Sequence, residues 1–119
     1  MKQGIILFAH GSRDPLWRLP IEAVADAIRT RDPEARVCCA YLELCSPDLT
    51  QAASDLIACD VDRIRVFPVF FGVGKHARED LPLLVAQLRA QHPGVPVELM
   101  PTAGEHPLLM ALMADIALS

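Results

Sequence analysis

Aromatic side chains are scarce in this chain: four Phe, one Trp and one Tyr make up 5% of its 119 residues. A buried core must therefore be filled by aliphatic groups, and hydrophobic residues are 52% of the total. Long apolar runs are missing too. None approaches the ~18 uncharged residues that a bilayer span requires, so no transmembrane helix is predicted. Positive charge is in deficit, with 11 Lys and Arg against 15 Asp and Glu and a formal net charge of −4. A nucleic-acid binder would normally show a basic patch or stripe, so no nucleic-acid partner is expected. Cysteines are few, and Cys38, Cys39, Cys45 and Cys59 form neither a C-x-x-C pair nor a zinc-ligand spacing. Their expected state is reduced and partly buried, in a cytoplasmic protein. No G-x-x-x-x-G-K-[ST] occurs, and no G-x-G-x-x-G follows the first apolar run, so neither ATP use nor dinucleotide binding is indicated. A G-x-S-x-G nucleophile elbow is also absent. The opening run MKQGIILFAHGS leads into Arg13-Asp14-Pro15 without a small-residue cleavage site, which argues against a secretory signal.

What is present is an alternation of apolar runs and helical patterns, expected to form one domain over residues 1–119. The first run, Gly4 to Ala9, is continuously apolar, as a strand buried on both faces should be. Further strands are predicted over Arg36–Leu42, Arg63–Val69 and Val97–Met100. The last is short and carries Pro96 and Glu98 as an edge strand tolerates. A helix over about Pro20–Arg31 places Ile21, Val24, Ala25 and Ile28 on one face. The second helix is expected to open with Ser46 as N-cap and Pro47 at its first position, turning Leu49, Ala52, Ala53, Leu56 and Ile57 inward. The third is expected over about Asp80–Gln91, with Asp80 as a cap. Alternating strands and helices imply an α/β fold, a three-layer αβα sandwich with a four-stranded parallel sheet and helices on both faces. A strand order of 2-1-3-4 would put the topological switch, and hence the default ligand crevice, between strands one and three. The final helix, about Glu105–Leu118, reads EHPLLMALMADIAL and is apolar around nearly its whole circumference. Such a helix must be covered on all sides. A second copy of the chain is the expected cover, giving a homodimer.

Two histidines follow buried strands at matching places. His10 follows the first run and is succeeded by Gly11, Ser12 and Arg13; His76 lies in GVGKHARED after the third. Each has a bland reading, as a turn residue bonded to a carbonyl or as a solvated loop residue. Their shared position at the carboxyl ends of adjacent strands favours a second reading, two imidazoles offered to a divalent transition metal. Gly11 would leave room for a ligand's close approach. Arg13, Lys75 and Arg78 offer cations for carboxylate or phosphate. Glu43 stands between Leu42 and Leu44 at the end of the second strand. A carboxylate there must be paired, bind a metal, accept a proton, or face a helix N-terminus. His92 and His106 precede prolines and fit turns, and Met100, Met110 and Met113 fit core or interface packing.

Four segments, HGSRDP, YLELCSPDL, FPVFFGVGKHAREDLP and AGEHPLL, fall in the order and spacing of a known family. The chain resembles the short CbiX-type chelatases, sirohydrochlorin cobaltochelatases of the ATP-independent class. That resemblance implies insertion of Co²⁺, with Ni²⁺ or Fe²⁺ as alternatives, into sirohydrochlorin for cobalamin or related tetrapyrroles. The metal would be a substrate, and no organic cofactor is implied. Carried over by position, the metal-binding and catalytic histidines match His10 and His76, and the acidic residue matches Glu43. The resemblance also implies a homodimer that mimics the two lobes of longer relatives. Arg13, Lys75 and Arg78 would then meet the peripheral carboxylates of the macrocycle. Two other functions compete. One is a non-catalytic carrier of divalent metal or tetrapyrrole using the same histidines. The other is a phosphohydrolase with His10 as nucleophile, against which Ala9 stands where a phosphate-clamping arginine would be wanted.

Overall fold

Strand β1 (Gln3–Ala9) lies at the centre of a parallel sheet because its residues are apolar on both alternating faces. The computed structural model describes residues 2–119. It shows β1, α1 (Leu19–Arg31), β2 (Arg36–Tyr41), α2 (Leu49–Ala58), β3 (Arg63–Pro68), α3 (Lys75–Gln91), β4 (Val97–Leu99) and α4 (Pro107–Leu118). A single 3-10 turn, Ala103–Glu105, precedes α4. The sheet order is β2-β1-β3-β4, and every pairing is parallel. This is the predicted α/β fold with its switch between β1 and β3.

Alternation along β1 divides the core. Ile6 and Phe8 point to the face covered by α2 and α3, where they meet Leu49, Leu56, Val85 and Leu88. Leu7 and Ala9 point to the opposite face, where Ile21 and Ala25 of α1 and Tyr41 of β2 cover them. Ile6, Leu7 and Phe8 are at most 1% exposed. Replacing any of them with Ala would remove about 2–5 kcal/mol of packing.

Two helix starts differ from expectation. The N-cap of α2 is Asp48, not Ser46: its carboxylate accepts a hydrogen bond from the Gln51 N–H at 2.9 Å. Pro47 lies outside the helix, where its carbonyl accepts from the Tyr41 N–H at 2.9 Å. That bond satisfies a backbone donor of β2 beyond its ladder and holds Ser46–Pro47 apart from α2. Helix α3 begins at Lys75 with Gly74 as N-cap, so Asp80 is an interior helical residue rather than a cap. Pro82 also lies inside α3. His92 ends α3, and His106 caps α4, its Nδ1 accepting from the Leu108 N–H at 3.2 Å.

Helix α4 contributes no buried residue. Leu108, Met110, Leu112, Met113, Ile116 and Leu118 all stand exposed. No helix among the described residues is long and apolar enough to cross a membrane.

Candidate functional site

The ladder between β1 and β2 continues past the ends of both strands. Leu42 donates its N–H to the Ala9 carbonyl at 2.9 Å, and Glu43 donates to the His10 carbonyl at 3.1 Å. This register draws Glu43 alongside His10. Gly11 makes the approach possible. It sits at φ +108, and a Cβ built on it would stand 1.8 Å from the Glu43 carbonyl oxygen. The sequence suggested that Gly11 makes room for a ligand, but the close neighbour is the backbone of Glu43.

The result is a contact between His10 Nε2 and Glu43 Oε1 at 3.0 Å, with both side chains about half exposed (55% and 54%). That separation suits an N–H···O hydrogen bond. The imidazole is supported from behind. Its ring lies edge-on to Phe70 at 6.4 Å, and Phe70 lies edge-on to Phe8 at 6.2 Å. Phe70 is positioned because β3 also extends its pairing: the Val69 N–H donates to the Phe8 carbonyl at 2.7 Å. Nothing in the sequence marks this aromatic support: Phe70 reads there as one more residue of an apolar run.

His76 occupies the first turn of α3, exposed, at the same carboxyl rim of the sheet. It makes no hydrogen bond or ion pair with His10 or Glu43. Among the described residues, no three His, Cys, Asp or Glu side chains converge as a metal site. The structure therefore brings together His10 and Glu43 and leaves His76 separate on the rim. Lys75 and Arg78 share its helical turn, where unpaired N–H groups add positive potential. Arg13 lies exposed in the loop after β1. That loop is shaped by Asp14, which accepts at Oδ1 from the Leu16 N–H at 2.9 Å.

A groove of about 590 Å³ opens beside Glu43, lined by Tyr41, Cys45, Pro47, Asp48 and Gln51. A second hollow, about 330 Å³, lies along β2 between Arg18, Glu22, Arg29, Cys38 and Cys39. Burial there pushes the Cys39 thiol up to about 11, with Cys38 and Glu22 adding to the rise. Tyr41 is pushed up to about 12, again chiefly by burial. Neither group is primed as a nucleophile at neutral pH.

The CbiX family profile matches residues 4–117. The sirohydrochlorin cobaltochelatase of Methanopyrus kandleri is 32% identical over 81 residues, covering 68% of this chain and 57% of that protein. The chloroplastic sirohydrochlorin ferrochelatase of Arabidopsis thaliana is 29% identical over 112 residues, 94% of this chain and 50% of that protein. The chain thus spans about half the length of these curated relatives. The crystal structure of the CbiX protein from Marinobacter aquaeolei VT8 superposes with a TM-score of 0.82 at 32% identity, covering 98% of this chain and 94% of that one.

Proposed function

The chain belongs to the CbiX family, and on that footing we propose that it inserts a divalent metal ion into sirohydrochlorin without ATP. Co²⁺ is the metal we favour. A cobaltochelatase and a ferrochelatase stand among its relatives, so Fe²⁺ and Ni²⁺ belong in the same test. The observation that carries the reading is the His10–Glu43 contact at 3.0 Å, half open to solvent at the carboxyl end of β1.

The chemistry suits these groups. Metal insertion into a tetrapyrrole is favourable overall. The barrier lies in stripping water from the ion, bending the ring and removing two pyrrole protons. His10 supplies a nitrogen donor; His76 is the second donor in this reading, offered from the first turn of α3 at the same rim although no hydrogen bond or ion pair joins it to His10. Such a set leaves coordination positions open for exchange, unlike a closed four-thiolate site. Glu43 accepts a pyrrole proton, its carboxylate lying within hydrogen-bond reach of the His10 imidazole. Arg13, Lys75 and Arg78 attract the peripheral carboxylates of the substrate to an otherwise acidic protein. The exposed apolar surface of α4 supports association of two copies through that helix. Four free thiols suit a cytoplasmic location.

Anaerobic mixing of the protein with sirohydrochlorin and each metal in turn, followed by absorbance, tests the reading. Insertion should be catalytic in protein and should fall at least 100-fold in His10→Ala and in His76→Ala, with the fold retained. Stoichiometric binding without conversion of the free macrocycle would identify a carrier instead. Near-normal turnover in both variants would overturn the assignment.

A further inference from the structure

Large apolar side chains stand in water on both sides of His10. Leu44, which follows β2, is 50% exposed, and Phe71, which follows β3, is 67% exposed. Neither is loose. Leu44 holds φ +68, a left-handed conformation disfavoured for a branched side chain, and the carbonyl just before it is the one pressed against Gly11. Phe71 is fixed in the same manner from the other side. A Cβ on Gly104 would stand 1.5 Å from the Phe71 carbonyl oxygen, and the Gly104 N–H donates to the Phe70 carbonyl at 2.8 Å. Two glycines thus pin rim backbone on either flank of the site, and each pinned segment presents an apolar side chain to solvent instead of to the core.

Resting on the chelatase reading, we propose that Leu44 and Phe71 are the apolar walls on which a face of the macrocycle settles, a pair that positions the ring over His10 and Glu43. The sheet order sets the span. Leu44 leaves from β2 and Phe71 from β3, with β1 and His10 between them. Strands lie ~4.8 Å apart, so the two walls are rooted roughly 10 Å from each other. That breadth suits a flat macrocycle better than a single aromatic ring. The chemistry is complementary as well. A tetrapyrrole has an apolar π face and a charged periphery; the rim has apolar side chains flanking the imidazole and cations at Arg13, Lys75 and Arg78.

Titration of metal-free sirohydrochlorin by its fluorescence, alongside Co²⁺ titration by calorimetry, separates this role from metal binding. The proteins compared are the parent, Phe71→Ala, Leu44→Asn (Asn tolerates the left-handed backbone) and Phe71→Trp. Each of the first two variants should bind the macrocycle about tenfold more weakly while Co²⁺ affinity stays within about twofold, and Phe71→Trp should bind it like the parent. A parent that metallates sirohydrochlorin, with Phe71→Ala and Leu44→Asn binding the ring as tightly, overturns these walls and leaves the chelatase reading standing. The same holds if the substitutions split a dimer in sedimentation while ring affinity is unchanged, since a second copy would then be what covers them. A parent that neither binds nor metallates the macrocycle overturns both.

Discussion

Gly11 and Glu43 meet backbone to backbone: no Cβ fits at position 11 without displacing the carbonyl of residue 43, which it would approach to 1.8 Å. The oxygen belongs to main chain, so it cannot rotate away. Gly11→Ala therefore combines left-handed strain at φ +108 with overpacking, and should cost about 2–4 kcal/mol. Because the carbonyl leads directly to the Glu43 side chain, relief of the clash should also part Glu43 from His10. Urea unfolding and Co²⁺ calorimetry check both effects. A variant as stable as its parent, with unchanged metal affinity, would contradict this account.

Glu43→Gln keeps the shape of the side chain and an oxygen that can accept from His10, but removes its basicity. Glu43 is half exposed, so stability should stay within about 0.5 kcal/mol. Turnover should fall by about 10²–10⁴ if the carboxylate takes a pyrrole proton in the rate-limiting step. Saturation kinetics of metal insertion, paired with urea unfolding, would show whether the loss lies in the chemistry. Full activity in Glu43→Gln would assign proton removal to another group.

The sheet order was legible because four apolar runs alternate with helical patterns, and β1 is apolar on both faces. Strand order alone puts Glu43 at the end of β2, one strand from the crevice between β1 and β3. Its contact with His10 depends on the register that pairs Ala9 with Tyr41, which the sequence does not display. Helix starts were harder. Ser46 looked like a cap because Pro47 follows it, but the Pro47 carbonyl is taken by Tyr41 from another element, which no local pattern reveals. In α3 the first six residues, KHARED, carry no apolar periodicity. The inward face becomes readable only from Leu81 onward, so the opening turns carry the pattern of a loop. The role of Phe70 has no local signature, because its neighbour His10 is remote in sequence.

The cysteines should separate by reactivity. Cys59 is exposed, whereas burial raises both Cys38 and Cys39, the latter to about 11. At pH 8 a thiol reagent should label Cys59 fastest and Cys39 slowest, with Cys39 labelling accelerating only as pH approaches 11. The same shift affects folding. A thiol whose folded value lies above its ordinary 9.0 stabilises the protein fully below that pH. The contribution is lost as pH rises to about 11, and that of Tyr41 as pH rises from 10.0 to about 12. The thermal midpoint should therefore fall between pH 9 and 11. Mass-resolved alkylation and melting curves test the two halves, and a flat midpoint across that range would refute the second.

Helix α4 bears the largest consequence for assembly. Six large apolar side chains lie exposed along it and none is buried, a concentration that monomers rarely leave in water. Two copies joined through α4 should sediment at twice the monomer mass, and the thermal midpoint should rise with protein concentration. The double substitution Leu112→Glu with Ile116→Glu places charge on that surface at helical spacing. It should give a monomer whose midpoint no longer depends on concentration. Because α4 adds nothing to the buried core of its own chain, this monomer should stay folded and retain the far-ultraviolet dichroism of the parent. Sedimentation of the parent as a monomer throughout the micromolar range would remove α4 as the joining surface.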